Sequence, residues 1–275
     1  MRLTTSLSMI VLGAVAATSA VAADWSADSV GYRYYSAQSE PGVSDKVAKN
    51  VLSFTHVSGD KLGMNLFTID YLRSDSNDPA NGGGGGASEW YGFYKRSYSL
   101  SAMTGNKSGY GFAKDLSLTG RIDAGAKNTA FAPAPFKLRV GGSADLPVSA
   151  GFWNVGLEAY KENNNNGIVG KQVSFDTTWA VSSAWAIPLG SAGATFEGFL
   201  DVVGPKGKDG FGAQTVTETL LRASLMFDVG GAKSGLQAGF GFEYWNNKFG
   251  CDNSASGVNN SCTATSPMLL LAYKL

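Results

Sequence analysis

The feature that most constrains this chain is an alternation across residues 173–187. Its odd positions are Val173, Phe175, Thr177, Trp179, Val181, Ser183, Trp185 and Ile187. The even positions are Ser174, Asp176, Thr178, Ala180, Ser182, Ala184 and Ala186. Period two over this length predicts one β-strand whose two faces meet different surroundings. Bulky apolar groups line one face and small or polar groups the other. In a soluble sandwich the apolar face meets a core. In a membrane barrel it meets lipid, and the polar face lines a lumen.

The rest of the chain favours the barrel. Strand-like segments recur near residues 28–36, 48–58, 62–73, 88–99, 114–124, 136–146, 151–161, 172–187, 194–203, 216–228, 235–246 and 266–275, twelve in all. An even number returns both ends of a closed barrel to one side. Five of them orient cleanly. Leu116, Leu118 and Ile122 oppose Arg121 and Asp123, while Phe136, Leu138 and Val140 oppose Lys137 and Arg139. Trp153, Val155 and Leu157 oppose Asn154, Glu158 and Tyr160. Leu221, Ala223, Leu225 and Phe227 oppose Arg222 and Ser224, and Leu236, Ala238, Phe240, Phe242 and Tyr244 oppose Gln237, Glu243 and Trp245. Segments 48–58, 62–73 and 88–99 have mixed faces and no preferred register.

Connection lengths carry the topology. Long polar segments at 37–47, 74–87, 125–135, 162–171, 204–215 and 247–265 alternate with short links at 58–61, 147–150, 188–193 and 229–234. The link at 100–113 is the exception. Long loops at one end and tight turns at the other are how outer-membrane barrels are built, and a sandwich has no reason for that beat. The expected fold is all-β, a closed antiparallel transmembrane β-barrel of about 12 strands.

Composition agrees. Lys plus Arg and Asp plus Glu balance at 22 each, which gives no basis for nucleic-acid binding. The 36 glycines and 12% aromatic residues suit strands better than helices. A near-zero mean hydropathy is what alternating lipid-facing and lumen-facing positions average to. At the start, Arg2, the apolar run 10–16 and Ala20-Val21-Ala22 read as a secretory signal peptide over 1–22, leaving a single barrel domain over 23–275. Cys251 and Cys262 are expected to form a disulfide in an oxidising compartment. No CxxC spacing or nearby His supports a metal or redox site there. The glycine run at 82–86 lacks the Gly-Lys-Ser/Thr of a phosphate loop, and Pro79 interrupts Asp75, Asn77 and Asp78 as a calcium loop, so this segment reads as solvated. No cofactor, metal or catalytic group is expected.

The inward faces hold the candidate site. Arg33, Arg121, Lys137, Arg139 and Arg222 stand against Asp123, Glu158, Glu197, Asp201 and Glu243, a mixture that favours neither bulk anions nor bulk cations. Tyr35, Tyr160, Phe199 and Trp245 share those faces. Such rings stack on a flat base while charged groups hydrogen-bond a sugar. The competing reading is that the charges pair with one another and stiffen the barrel. Twelve strands leave a passage narrower than that of the 16–18-stranded porins.

Several segments resemble a known family. The run Leu52-Ser53-Phe54-Thr55-His56-Val57-Ser58-Gly59-Asp60-Lys61, then Asn65-Leu66-Phe67-Thr68-Ile69-Asp70, Ser74-Asp75-Ser76-Asn77-Asp78 and Glu89-Trp90-Tyr91-Gly92-Phe93-Tyr94, resembles the early strands of the Tsx-like nucleoside-specific channel-forming outer-membrane proteins. Residues 196–199, 207–212 and 241–250 are similar to outer-envelope relatives in the same group. The resemblance implies a monomeric twelve-stranded barrel in a Gram-negative outer membrane, surrounded by lipid and passing nucleosides or similar solutes. It assigns no single residue a nucleoside contact. Two further readings stand beside it. His56 and Ser58 have the spacing of the His and Ser in outer-membrane phospholipase, although Ser58-Gly59-Asp60-Lys61 reads as a turn, so no enzyme is expected. A non-conducting surface receptor is the third.

Overall fold

The alternation closes into a ring. In a computed structural model describing residues 23–80, 84–106, 108–129, 132–190, 193–231, 234–258 and 260–275, the strands are β1 (Trp25–Gln38), β2 (Val47–Asp60), β3 (Gly63–Ser74), β4 (Ser88–Ser99), β5 (Asp115–Lys127), β6 (Phe136–Asp145), β7 (Phe152–Asn166), β8 (Lys171–Ser174), β9 (Thr178–Pro188), β10 (Ala194–Val203), β11 (Glu218–Asp228), β12 (Leu236–Asn246) and β13 (Ala264–Lys274). The expected signal peptide lies outside the described residues, as do 81–83 of the glycine-rich loop. All pairings are antiparallel between neighbours, and β13 returns to β1 from Ser29↔Lys274 to Tyr35↔Met268. The lower part of β7 pairs with β9 and its upper part with the short β8, so twelve strands make the closed barrel and β8 is a flap on its rim.

The loop beat is observed except at 162–171, which is not a polar loop: β7 runs on through Asn166 and pairs with β8 across a short turn at 167–170. Long connections leave one end, while turns such as Asp60 to Gly63 stand at the other beside both ends of the sheet. In that turn Asp60 Oδ1 accepts from Leu62 N and Gly63 N at 2.8 and 3.1 Å. A side chain at Gly63 would meet Ser97 O at 2.0 Å, which explains glycine there. The long link after β4 forms a single helical turn, α1 (Leu100–Thr104), capped by the Ser99 hydroxyl. It lies outside the lumen and contributes no wall to the large cavity.

The alternation that opened the sequence reading also needs correcting. Residues 173–187 are not one uninterrupted strand. Asn163 pairs with Ser174 and Tyr160 with Thr178, so residues 175–177 stand opposite only 161 and 162. The extra residue is a bulge, and a bulge inverts parity. Trp179, Val181, Trp185 and Ile187 face outward, but Val173 and Phe175 turn to the inner side. Phe175 is buried with the Lys206 ammonium 4.5 Å from its ring.

The five cleanly oriented segments face as expected. Their apolar residues form an exposed belt that includes Leu118, Leu138, Val140, Leu157 and Phe240 and continues through Leu52, Leu269 and Leu271. Tyr71, Trp179 and Tyr244 border the belt near the loop end, and Tyr98, Trp153 and Tyr273 near the turn end. An apolar band between aromatic girdles around a charged interior is the transmembrane barrel arrangement. Val140 and Leu157 are 69% and 63% exposed within the band. Leu157→Arg is therefore expected to cost about 2–4 kcal/mol in the folding equilibrium measured in lipid vesicles.

Candidate functional site: the charged lumen and its mouth

Long side chains span the interior as chords. Arg33 on β1 reaches past β2 to pair with Asp70 on β3 and also donates to Ser53 Oγ at 3.3 Å. Arg139 on β6 donates both terminal nitrogens to Asp201 on β10, each at 2.6 Å. It crosses β7 and β9, where the inward residues of β9 include Ala180, Ser182 and Ala184 and leave the room. Arg222 donates twice to Glu243 Oε2, at 2.9 and 2.7 Å. Glu243 also accepts from Tyr35 at 3.0 Å and from Gln38 at 2.8 Å. Arg121 donates twice to Asp123, at 2.7 Å each, with its guanidinium 4.0 Å from the Phe93 ring centre. Two-pronged Arg–carboxylate bonds fix direction as well as charge.

The loops close over this interior. Glu40, Asp78, Lys206 and Lys248, each from a different long loop, are all buried. Glu40 Oε1 lies 2.6 Å from Lys49 Nζ, 3.3 Å from Lys248 Nζ and 3.6 Å from Lys127 Nζ. Lys127 in turn reaches Asp78 at 3.1 Å and Glu89 at 3.7 Å. Lys206 pairs with Glu162, which also accepts from Tyr160 at 2.6 Å. Lys248 is aimed by local backbone. Asn247 takes a left-handed conformation (φ 51°), and Lys248 N donates to Cys262 O at 2.9 Å. The Cys251–Cys262 disulfide closes that loop. Asp78, read from sequence as part of a solvated loop, is instead 1% exposed, because Lys127 draws it into the mouth.

Between these groups runs a cavity of about 450 Å³. It extends from Glu40, Lys127 and Lys248 at the loop end to Leu66, Lys95 and Asn154 near the turn end. A second space of about 140 Å³ lies beside Glu197, Met226 and Leu270. Tyr35, Val51, Met226, Met268 and Leu270 pack together on that side, so the passage is eccentric.

All fourteen sequence-selected residues lie on inward faces. Arg33, Tyr35, Arg121, Lys137, Arg139, Phe199, Asp201, Arg222, Glu243 and Trp245 line the large cavity, and Glu197 the small one. Asp123, Glu158 and Tyr160 are sealed beneath their partners. Tyr160 is therefore not a stacking surface, since it is fully buried and lines neither cavity. Lys49, Asp70, Glu89, Tyr91, Phe93 and Lys95 were not selected, yet they line the same space. Parity was their available signal, since the charges of 88–95 fall on odd positions.

His56 faces outward, and its Nδ1 is 2.7 Å from Asp28 Oδ1. Ser58 shares that face, but its hydroxyl accepts from Asn65 at 3.4 Å. Among the described residues no hydrogen bond joins His56 to Ser58.

No family model and no curated protein matches this chain. Solved barrels do show likeness. The translocator domain of autotransporter NalP from Neisseria meningitidis is 13% identical with a TM-score of 0.45, covering 97% of this chain and 94% of that one. For the beta domain of the Bordetella autotransporter BrkA the identity is 12% and the TM-score 0.41, with 91% and 99% covered. For OccK5 of Pseudomonas aeruginosa they are 11% and 0.30, with 91% and 98% covered. Likeness this weak carries no argument, and the fold rests on the closed ring of pairings itself.

At the mouth, burial would raise the Glu40 carboxyl, but Lys248, Lys49 and Lys127 outweigh it and hold the group well below the usual range. A carboxyl depressed in the folded state stabilises fully above its unfolded value, about 4.3, and loses that contribution as pH falls toward the folded value. Acidification below about pH 4 should therefore loosen the loops, read as faster proteolysis of residues 39–46 and 247–263. Glu40→Gln leaves three ammoniums facing one another and should cost about 3 kcal/mol at neutral pH while flattening the acid dependence.

Proposed function

We propose that this barrel is an outer-membrane channel of a Gram-negative cell that passes small solutes, nucleosides or similar flat ring compounds, by passive uptake. One observation carries the reading: a cavity of about 450 Å³ follows the barrel from loops to turns, and every acid lining it is held in an ion pair. The volume lies in the range of small-molecule sites. Polar side chains and the rings of Tyr91, Phe93, Phe199 and Trp245 border it together, which suits a solute with one flat apolar part and one polar part.

The resemblance to Tsx-like channels supports the nucleoside class, and a monomer follows from the same likeness. The exposed belt between aromatic girdles supports the lipid setting. Hydrolysis is the weaker reading, because among the described residues no hydrogen bond joins His56 to Ser58, whose hydroxyl accepts from Asn65.

Single-channel recording of the refolded protein in a planar bilayer tests the proposal. The expected result is a small conductance that adenosine or thymidine on one side reduces in a saturable way. A conductance indifferent to both nucleosides sinks the nucleoside assignment. A folded barrel that passes no current sinks the channel.

A further inference from the structure

Cations in this lumen are unevenly distributed. Strands β4, β5 and β6 are neighbours, and their register sets Lys95 opposite Arg121 and Arg121 opposite Arg139. All three line the large cavity, so one wall carries a row of three cations across three adjacent strands. Lys137 stands two residues above Arg139 on the same inward face. Like charges directly opposite one another on a sheet repel, so such a row needs anions at hand.

The protein supplies three, and they go to the arginines. Asp123 takes Arg121, while Asp201 and Glu158 lie 2.6 and 3.8 Å from Arg139. Lys95 makes no hydrogen bond or ion pair among the described residues. Lys137 stands opposite Asp123 and Glu162 in the register but makes no hydrogen bond or ion pair among the described residues, since Arg121 and Lys206 hold those acids, and its ammonium lies 5.4 Å from the Tyr91 ring. Arg139 Nε is buried without an acceptor. The lining acids show the reverse, since each has a cation. Unspent charge on this wall is positive, and it borders open space rather than packed side chains.

We infer that the β4–β6 wall is a binding site for a small organic anion, a carboxylate or phosphate monoester carried on a flat ring. The ammoniums of Lys95 and Lys137 come from different strands, which suits a head group with more than one oxygen. Tyr91 and Phe93 border the space beside them and offer apolar contact to the ring. The proposal rests on the channel reading and adds to its flat-ring solutes those that carry an acid group.

Isothermal titration of the refolded barrel in detergent tests the site independently of transport. Benzoate and phenyl phosphate are the probes, with benzyl alcohol as the neutral comparison. At least one anion is expected to bind about tenfold or more tighter than the alcohol, and the tighter of the two identifies the head group. Lys95→Met and Lys137→Met should each weaken that binding by about tenfold, whereas Lys171→Met on the exposed β8 should not. Both variants delete a charge that makes no ion pair, each nearby acid keeping another cation, and the heat-dependent gel mobility of a folded barrel checks their folding. Equal affinity for anions and alcohol, or binding indifferent to both lysine substitutions, overturns the site. Bilayer current separates this outcome from the fate of the channel. A barrel that binds benzoate and passes no current keeps the site and loses the channel. A conducting barrel that binds neither anion keeps the channel and loses the site.

Discussion

The pairing of β1 with β13 is the constraint on which the rest depends. Hydrocarbon offers no partner to a free N–H or C=O, so a sheet in a membrane must close on itself. Once it closes, each side chain is assigned to lipid or lumen by parity alone. Twelve strands enclose more space than a single inward layer of small apolar side chains fills. One side of this barrel fills it with Tyr35, Val51, Met226, Met268 and Leu270. The other side is held by long charged side chains that meet partners several strands away, as Arg33 meets Asp70 and Arg139 meets Asp201. The same closure thus produces both the lipid belt and the polar passage.

Charge inside a barrel is costly unless its hydrogen bonds are completed. Arg121 and Arg222 meet that condition with two-pronged bonds and ring contacts, Arg33 and Arg139 meet it at their terminal nitrogens but not at Nε, and the three-lysine cluster around Glu40 meets it through shared acids. What these interactions secure is position. Glu40, Asp78, Lys206 and Lys248 convert four solvated loops into a shaped mouth, each tied to residues distant in the chain. Entropy lost by the loops is offset by electrostatics that a purely polar loop sequence would not supply.

How much of this was legible from the chain depends on which side of the wall a residue faces. Segments 114–124, 136–146, 151–161, 216–228 and 235–246 were readable because the outward positions along their middles are apolar. In β2, β3 and β4 parity is blurred from both sides. Outward positions near the turn end carry the pairs Asp28–His56 and Asp60–Arg96, and Tyr94 donates to Asn65. Inward positions carry Val51, Leu66 and Leu72. The bulge at 175–177 was invisible for a different reason. One extra residue inverts the face without changing the pattern of letters, and the bulge bonds a distant loop, Asp176 N donating to Lys206 O at 2.9 Å. Mouth residues were illegible because Glu40 and Lys248 meet only after the barrel has closed.

Access and selectivity are held by different parts of this molecule. The mouth depends on loop charges paired with rim lysines and acids, while the wall of β4–β6 depends on strand register, which cannot shift by one residue without turning its charges into lipid. Loops can therefore change in length or sequence without disturbing the row Lys95, Arg121 and Arg139. Lys95 can in turn be altered without unpicking the mouth, because among the described residues it makes no hydrogen bond or ion pair to lose. Under the proposed anion site, the lysines without an ion pair, rather than the well-paired arginines, are the positions at which this barrel would set its solute.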